Sequence, residues 1–135
     1  MIFVDTNILF DVATGDSQWA PWSLNALESA ASEGSLHINA IVYAELSTRY
    51  QDSQNVDDFV ARTGVELIDI PRYAAFLAAK AFARYRAAGG VRTGVLSDFF
   101  IGAHAVALDI PLLTRDVSRY KTYFPELRLI APQLN

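Results

Sequence analysis

Residues 2–7 read Ile2-Phe3-Val4-Asp5-Thr6-Asn7: an apolar run of strand length, an acid at its end, then short polar residues that suit the start of a helix. The same order returns at residues 111–116, Pro111-Leu112-Leu113-Thr114-Arg115-Asp116. Each run delivers a carboxylate at the carboxyl end of a buried strand. In an open parallel α/β sheet that edge is where ligands bind, at the place where the strand order reverses. If these two strands are neighbours, Asp5 and Asp116 face one crevice.

Outward from these runs, apolar stretches at Leu36–Asn39, Val65–Ile70 and Leu127–Ile130 join Ile2–Val4 and Pro111–Leu113 to make five predicted strands. Between them, spacing predicts helices over Asn7–Val12, Ala20–Ser32, Ala40–Tyr50, Val56–Thr63, Tyr73–Ala88 and Asp98–Leu108, with a short one from Val117. Strands alternating with helices imply parallel pairing and helices on both faces. The predicted architecture is an α/β/α three-layer sandwich around a central five-stranded parallel sheet. Gly34 and Gly89-Gly90 read as helix stops, and Gly89 to Ser97 as the most flexible segment. Tyr73–Ala88 is apolar almost all round, with Lys80 and Arg84 as a narrow charged stripe. Such a helix either buries two sides, one against the sheet and one against a second subunit, or leaves neutral alanines on a solvated face.

At 135 residues and 52% hydrophobic, the chain is expected to form one domain over residues 1–135 with a core that needs no staples. The absence of cysteine excludes disulfides and thiolate zinc sites and suits a reducing cytoplasm. Fifteen acids against eleven bases, a formal net charge of -4, argue against a protein that holds nucleic acid by bulk positive charge. No basic and apolar leader precedes the first strand, and no apolar run approaches the roughly 18 to 20 residues of a membrane span. A soluble, cytoplasmic protein is expected.

Two further acids are drawn to the same edge. Asp98, preceded by Ser97 as expected N-cap, starts the helix that leads into strand four. Glu45 lies in the helix after strand two, on the face that carries Ile41 and Val42. Each acid also has a purely local role open to it: Asp5, Asp98 and Asp116 stand where short acids cap helices, and Glu45 precedes Arg49 at the spacing of a helical ion pair. Capping does not require all four to gather at one end of one sheet. Gathered there, a pair of carboxylates at 4 Å would repel by roughly 4 kcal/mol at an effective dielectric near 20, so a cation must offset them. Hard oxygen donors without cysteine select magnesium or manganese over zinc.

Val4-Asp5-Thr6-Asn7, Ile41-Val42-Tyr43-Ala44-Glu45-Leu46, Asp98-Phe99-Phe100-Ile101-Gly102-Ala103-His104-Ala105 and Pro111-Leu112-Leu113-Thr114-Arg115-Asp116, in that order and at these separations, resemble the PIN-domain ribonucleases, and within them the VapC-type toxins of toxin–antitoxin pairs. The resemblance covers the whole chain. It implies a metal-dependent endoribonuclease in which Asp5, Glu45, Asp98 and Asp116 hold magnesium or manganese, with Thr6, Asn7 and Thr114 standing behind them. It also implies a VapB-type antitoxin that holds the enzyme inactive, and a homodimer. Two departures stand out. Relatives often carry a further acid just after the last motif, where Val117-Ser118-Arg119-Tyr120 offers none, which puts a second metal in doubt. Gly102 stands where relatives usually have alanine, a change expected to let its helix lie close to the sheet and to leave the chemistry alone.

His37 and His104 fall on a strand and on the far side of the Asp98 helix, and read as core rather than ligands. Trp19 and Trp22 flank Pro21 at a helix start and read as packing, as do Tyr120, Tyr123 and Phe124. Arg115 is the basic residue expected to touch RNA or an antitoxin, ahead of Arg84, Arg86 and Arg92, while solvated surface charge is the bland alternative. No groove-reading element is present, so no direct DNA binding is expected. Two other functions compete. A phospho-accepting receiver domain fits poorly, because no acid pair follows strand one and no lysine follows Ile130. A PIN-like module that binds RNA or protein without cutting is opposed by the retention of all four acids.

Overall fold

The computed structural model describes residues 1–133. In chain order the elements are β1 (Ile2–Val4), α1 (Thr6–Thr14), α2 (Ala20–Glu33), β2 (Leu36–Ile38), α3 (Ala40–Ser47), α4 (Ser53–Thr63), β3 (Glu66–Leu67), α5 (Arg72–Ala87), α6 (Val95–Leu108), β4 (Leu112–Leu113), α7 (Val117–Tyr123) and β5 (Leu129–Ile130). The strands form one sheet in the order β3-β2-β1-β4-β5. Every pairing is parallel. Chain order therefore reverses at β1, whose Val4 registers with Leu113 of β4, and the two strands open side by side at their carboxyl ends. This is the predicted α/β/α sandwich.

The core lies around β1. Phe3, Val4, Ile8, Leu9, Ile38, Val42, Leu46, Phe99, Ile101, Leu112 and Leu113 are all fully buried. At roughly 25 cal/mol per Å² of apolar surface, each large side chain among them stabilises the fold by about 2 kcal/mol relative to exposure. Asn39 ends β2 because its side chain turns to cap α3, where Oδ1 accepts from the N–H groups of Ile41 (3.0 Å) and Val42 (3.1 Å). Its amide nitrogen lies 3.0 Å from Nδ1 of His104 on α6, which ties the start of α3 to α6. Both histidines are core residues, as expected; burial pushes the His104 pKa down to about 4, so its imidazole is neutral at physiological pH.

Several boundaries differ from expectation for identifiable reasons. α4 starts three residues before Val56 because Asp52 accepts from the Gln54 N–H and caps it. β3 is two residues long rather than six, an exposed edge strand cut short before Pro71. α6 starts at Val95, so Ser97 is not its N-cap; the Ser97 hydroxyl instead donates to the Gly94 carbonyl at 2.9 Å, and Asp98 sits inside the first turn. Gly89 closes α5 with a φ of 93°, whereas Gly34 stops α2 in extended backbone. Within the chain α5 buries the side that carries Ala74, Ala78 and Ala81, while Tyr73 and Phe76 are 60% and 55% exposed.

Gly102 corrects a second expectation. A Cβ there would come within 2.7 Å of the Phe124 ring and 3.0 Å of the Tyr120 ring, so what the glycine lets close in is α7 rather than the sheet. Gly102→Ala adds about 1 kcal/mol of helix propensity but overpacks a buried aromatic contact at about 1–3 kcal/mol. A net loss of about 1 kcal/mol in urea denaturation is expected, and equal or greater stability than wild type would contradict this packing.

Candidate active site

Asp5 is the first residue beyond β1 and is only 4% exposed. It is held there because its backbone N–H donates to the Leu113 carbonyl of β4 at 2.9 Å, while its side chain caps α1 through the Thr6 N–H at 2.7 Å. That single donor meets Oδ1. Oδ2 accepts from the Thr114 hydroxyl (2.7 Å), the Tyr120 hydroxyl (3.0 Å) and the Asn7 amide (3.3 Å). Burial nevertheless dominates: it raises the Asp5 pKa from 3.8 to about 6, Asp98 adds repulsion, and the hydrogen bonds from Thr114, Tyr120 and Thr6 only partly oppose the rise.

Thr114 links the two strand ends. Its hydroxyl oxygen accepts from the Asn7 amide at 3.3 Å and from the Asp116 N–H at 3.0 Å, while the Arg115 N–H donates to Asn7 Oδ1 at 3.3 Å. Thr6 points the other way and donates to Glu45 Oε1 at 2.7 Å, which turns Glu45 toward the β1 end. Glu45 is thus committed to the crevice, and among the described residues it forms no ion pair with Arg49. Asp116 caps α7, accepting from the Arg119 N–H at 3.4 Å, and so keeps a structural role. Asp98 is no cap. Burial raises its pKa, the Arg119 guanidinium lowers it, and Glu45 and Asp116 raise it again, with the upward causes winning.

The four acids therefore feel one another from four segments: the end of β1, α3, the first turn of α6 and the start of α7. Among the described residues no three of them are already drawn together as a ready metal cage. The Arg119 guanidinium bonds Asp98 and lies 3.8 Å from Asp116. The donors are all hard oxygens, with His37 and His104 engaged elsewhere, the ligand chemistry that magnesium and manganese prefer.

Two functional side chains were not read from the pattern. Tyr120 was expected as packing, and it does pack, at 1% exposure, yet its hydroxyl also reaches Asp5. Its pKa is raised, by burial first and then by the charges of Asp5, Asp98 and Asp116. Asp11 was not singled out. It is buried, takes the Ser23 hydroxyl at 2.6 Å, and receives Arg115 through Nε at 2.6 Å and Nη2 at 2.8 Å. Arg115 also lies over the Trp19 ring, 4.7 Å from its centroid, so this guanidinium is braced rather than free. Arg119, beside Arg115 a candidate for a phosphate-contacting rim, bonds Asp98 and lies 3.8 Å from Asp116. Of the other basic residues, Arg84 donates to the Tyr123 carbonyl and Arg86 covers the Phe82 ring, both structural uses.

Comparison with known proteins agrees with this geometry. A PIN domain model matches residues 2–125. Among curated proteins, none matches the chain in sequence. Among solved structures the fold is similar to VapBC2 from Rickettsia felis bound to a DNA fragment from their promoter, with TM-score 0.73, 23% identity, and coverage of 98% of this chain and 100% of that chain. It is similar to VapBC-1 from nontypeable Haemophilus influenzae, with TM-score 0.73, 20% identity, and coverage of 97% and 98%. DNA-bound VapBC from Salmonella typhimurium gives TM-score 0.67 at 17% identity, covering 96% of each chain. At these identities the structural likeness is one of fold. The family model spans every segment that supplies an acid to the β1–β4 crevice, and on that match the chain belongs to the PIN domain family.

Proposed function

We infer that the chain is a metal-dependent endoribonuclease, the toxin of a type II toxin–antitoxin pair of the VapBC kind, and that it hydrolyses RNA phosphodiester bonds. The observation that carries this reading is the convergence of Asp5, Glu45, Asp98 and Asp116 on the carboxyl end of β1, each delivered by a different element. Asp5, Glu45 and Asp98, with Asp116, would hold magnesium or manganese. When bound, such an ion supplies a water of lowered pKa and positive charge for the phosphate. The protein's own groups do the positioning. Thr114, Tyr120 and Asn7 fix Oδ2 of Asp5 and leave Oδ1, with its single donor, as the oxygen with a lone pair to give. Thr6 aims Glu45, and no side-chain nucleophile is required.

The partners follow the same reading. The VapBC structures above contain an antitoxin with the toxin, which supports a VapB-type partner for this chain; the antitoxin of such a pair, rather than this chain, would carry any DNA contact. Arg115, with 26% of its side chain exposed and its fork held by Asp11, is a rigid edge for an RNA phosphate or an antitoxin carboxylate. A second copy of the chain would cover Tyr73 and Phe76 on the outer side of α5. No helix among the described residues is long and apolar enough to cross a membrane, in keeping with a cytoplasmic enzyme. A second reading, a PIN-fold module that binds RNA or protein without cutting, draws on one observation: the Arg119 guanidinium already bonds Asp98 and lies 3.8 Å from Asp116.

Cleavage separates the two. With purified protein freed of antitoxin, total cellular RNA and manganese, discrete cuts that vanish with EDTA are expected; Asp5→Ala and Asp98→Ala should each lower the rate by more than about a hundredfold while circular dichroism stays unchanged. Metal-dependent cutting retained by both variants would refute the site.

The stability of the metal-free protein should carry the signature of Asp5. Because its folded pKa of about 6 lies above the ordinary 3.8, the folded state binds the extra proton between those values. Stability from this group is therefore full below about pH 4 and is lost as pH rises through about 6, by about 3 kcal/mol in all, and Asp98 acts in the same direction. Urea denaturation in EDTA should show this decline, magnesium should reverse it at neutral pH, and Asp5→Asn should flatten it. A wild-type profile identical to that of Asp5→Asn would rule it out. For the second copy, light scattering at micromolar concentration should give twice the monomer mass, and Phe76→Glu should return the monomer.

A further inference from the structure

Charge in the crevice is unequal. Asp5, Glu45, Asp98 and Asp116 bring up to four negative charges, and two arginines come near them. Arg115 is already neutralised by Asp11 and turned onto Trp19. Arg119 is the basic side chain paired with the site's own acids, bonded to Asp98 and 3.8 Å from Asp116. Its side chain is 27% exposed, so the guanidinium is drawn into the crevice rather than waving over it.

Its placement is enforced by the backbone. Arg119 donates its N–H to Asp116 Oδ1, and the next residue, Tyr120, is locked in the core with its hydroxyl on Asp5. The Tyr120 and Phe124 rings lie against α6 at Gly102, where a Cβ would meet them at 3.0 and 2.7 Å. Arg119 thus cannot leave the crevice by rotation of α7 without taking Tyr120 off Asp5. A cation is built into the fold beside two of the four carboxylates.

We propose that Arg119 is the second cation of this site: beside Asp98 and Asp116 its guanidinium supplies the positive charge that a second metal ion would otherwise bring, so the chain binds one divalent ion and not two. The inference deepens the metal-dependent nuclease reading and rests on it. A guanidinium is always charged and carries planar paired donors, so it can keep two carboxylates together and turn its remaining N–H groups to a phosphate oxygen. A second divalent ion placed against Asp98 and Asp116 would meet that fixed positive charge a few ångströms away, where like charges repel strongly in a partly dry site.

The test counts ions and does not depend on cleavage. Titration calorimetry with manganese, with electron paramagnetic resonance to detect coupled ion pairs, is run on wild type, Arg119→Gln, Arg119→Asp and Arg119→Lys, each checked for fold by circular dichroism. Wild type and Arg119→Lys should bind one ion without pair coupling. Arg119→Gln should bind the first ion about tenfold more tightly, a change of about 1.4 kcal/mol, and Arg119→Asp should take up a second, coupled ion. Two ions in wild type, or one ion with unchanged affinity in both Arg119→Gln and Arg119→Asp, would overturn the proposal while leaving the metal-site reading intact. If folded wild type binds no manganese at all, the metal-site reading falls and this inference with it.

Discussion

A carboxylate with 4% of its surface exposed stands at the end of the central strand, and the rest of the molecule is arranged to tolerate it. Taking an isolated carboxylate out of water costs several kcal/mol even after relaxation, so Asp5 survives there only with donors on every side. They come from α1, the end of β4 and α7, elements far apart in sequence. The hydrogen bonds from Thr114 and Tyr120 span 109 and 115 residues. Folding therefore closes the whole chain around one acid. Even so the donors do not cancel the burial, and Asp5 holds its proton more tightly than an exposed carboxyl would.

The layout was legible in the residues because it depends on local grammar. A strand of three apolar residues followed by Asp5, and a second ending before Thr114 and Asp116, were enough to place two carboxylates at one edge. The parallel pairing of β1 with β4 then brought them together. Glu45 was legible by its helix face and by its competing partner, and the structure resolved the competition in favour of Thr6. What pattern reading missed were side chains whose role comes from tertiary neighbours. Tyr120 has the spacing of a core residue and is one; nothing local announces that its hydroxyl meets Asp5. Asp11 sits in the middle of α1 like a surface acid, and only the arrival of Arg115 and Ser23 gives it a buried task. Helix starts failed where a cap was chosen by residue type alone, as at Ser97.

The two arginines show how similar charges acquire different uses. Arg115 is paired with Asp11 and rests on an indole face, a geometry that makes it stiff. Arg119, four residues on, meets acids that have no other counter-charge among the described residues. The difference lies in the helix they border: Arg115 precedes α7 and lies toward α1, while Arg119 is one helical turn inside and lies toward α6. A short helix of seven residues thus places one positive charge against α1 and one against the crevice acids.

The brevity of β3 has a further consequence. Both rims of the sheet, β3 and β5, are strands of two residues, with Pro71 shortly after the first and Pro132 shortly after the second. A rim that short offers few unpaired backbone groups. Strand-to-strand stacking of one molecule on another therefore has little to grip at either edge.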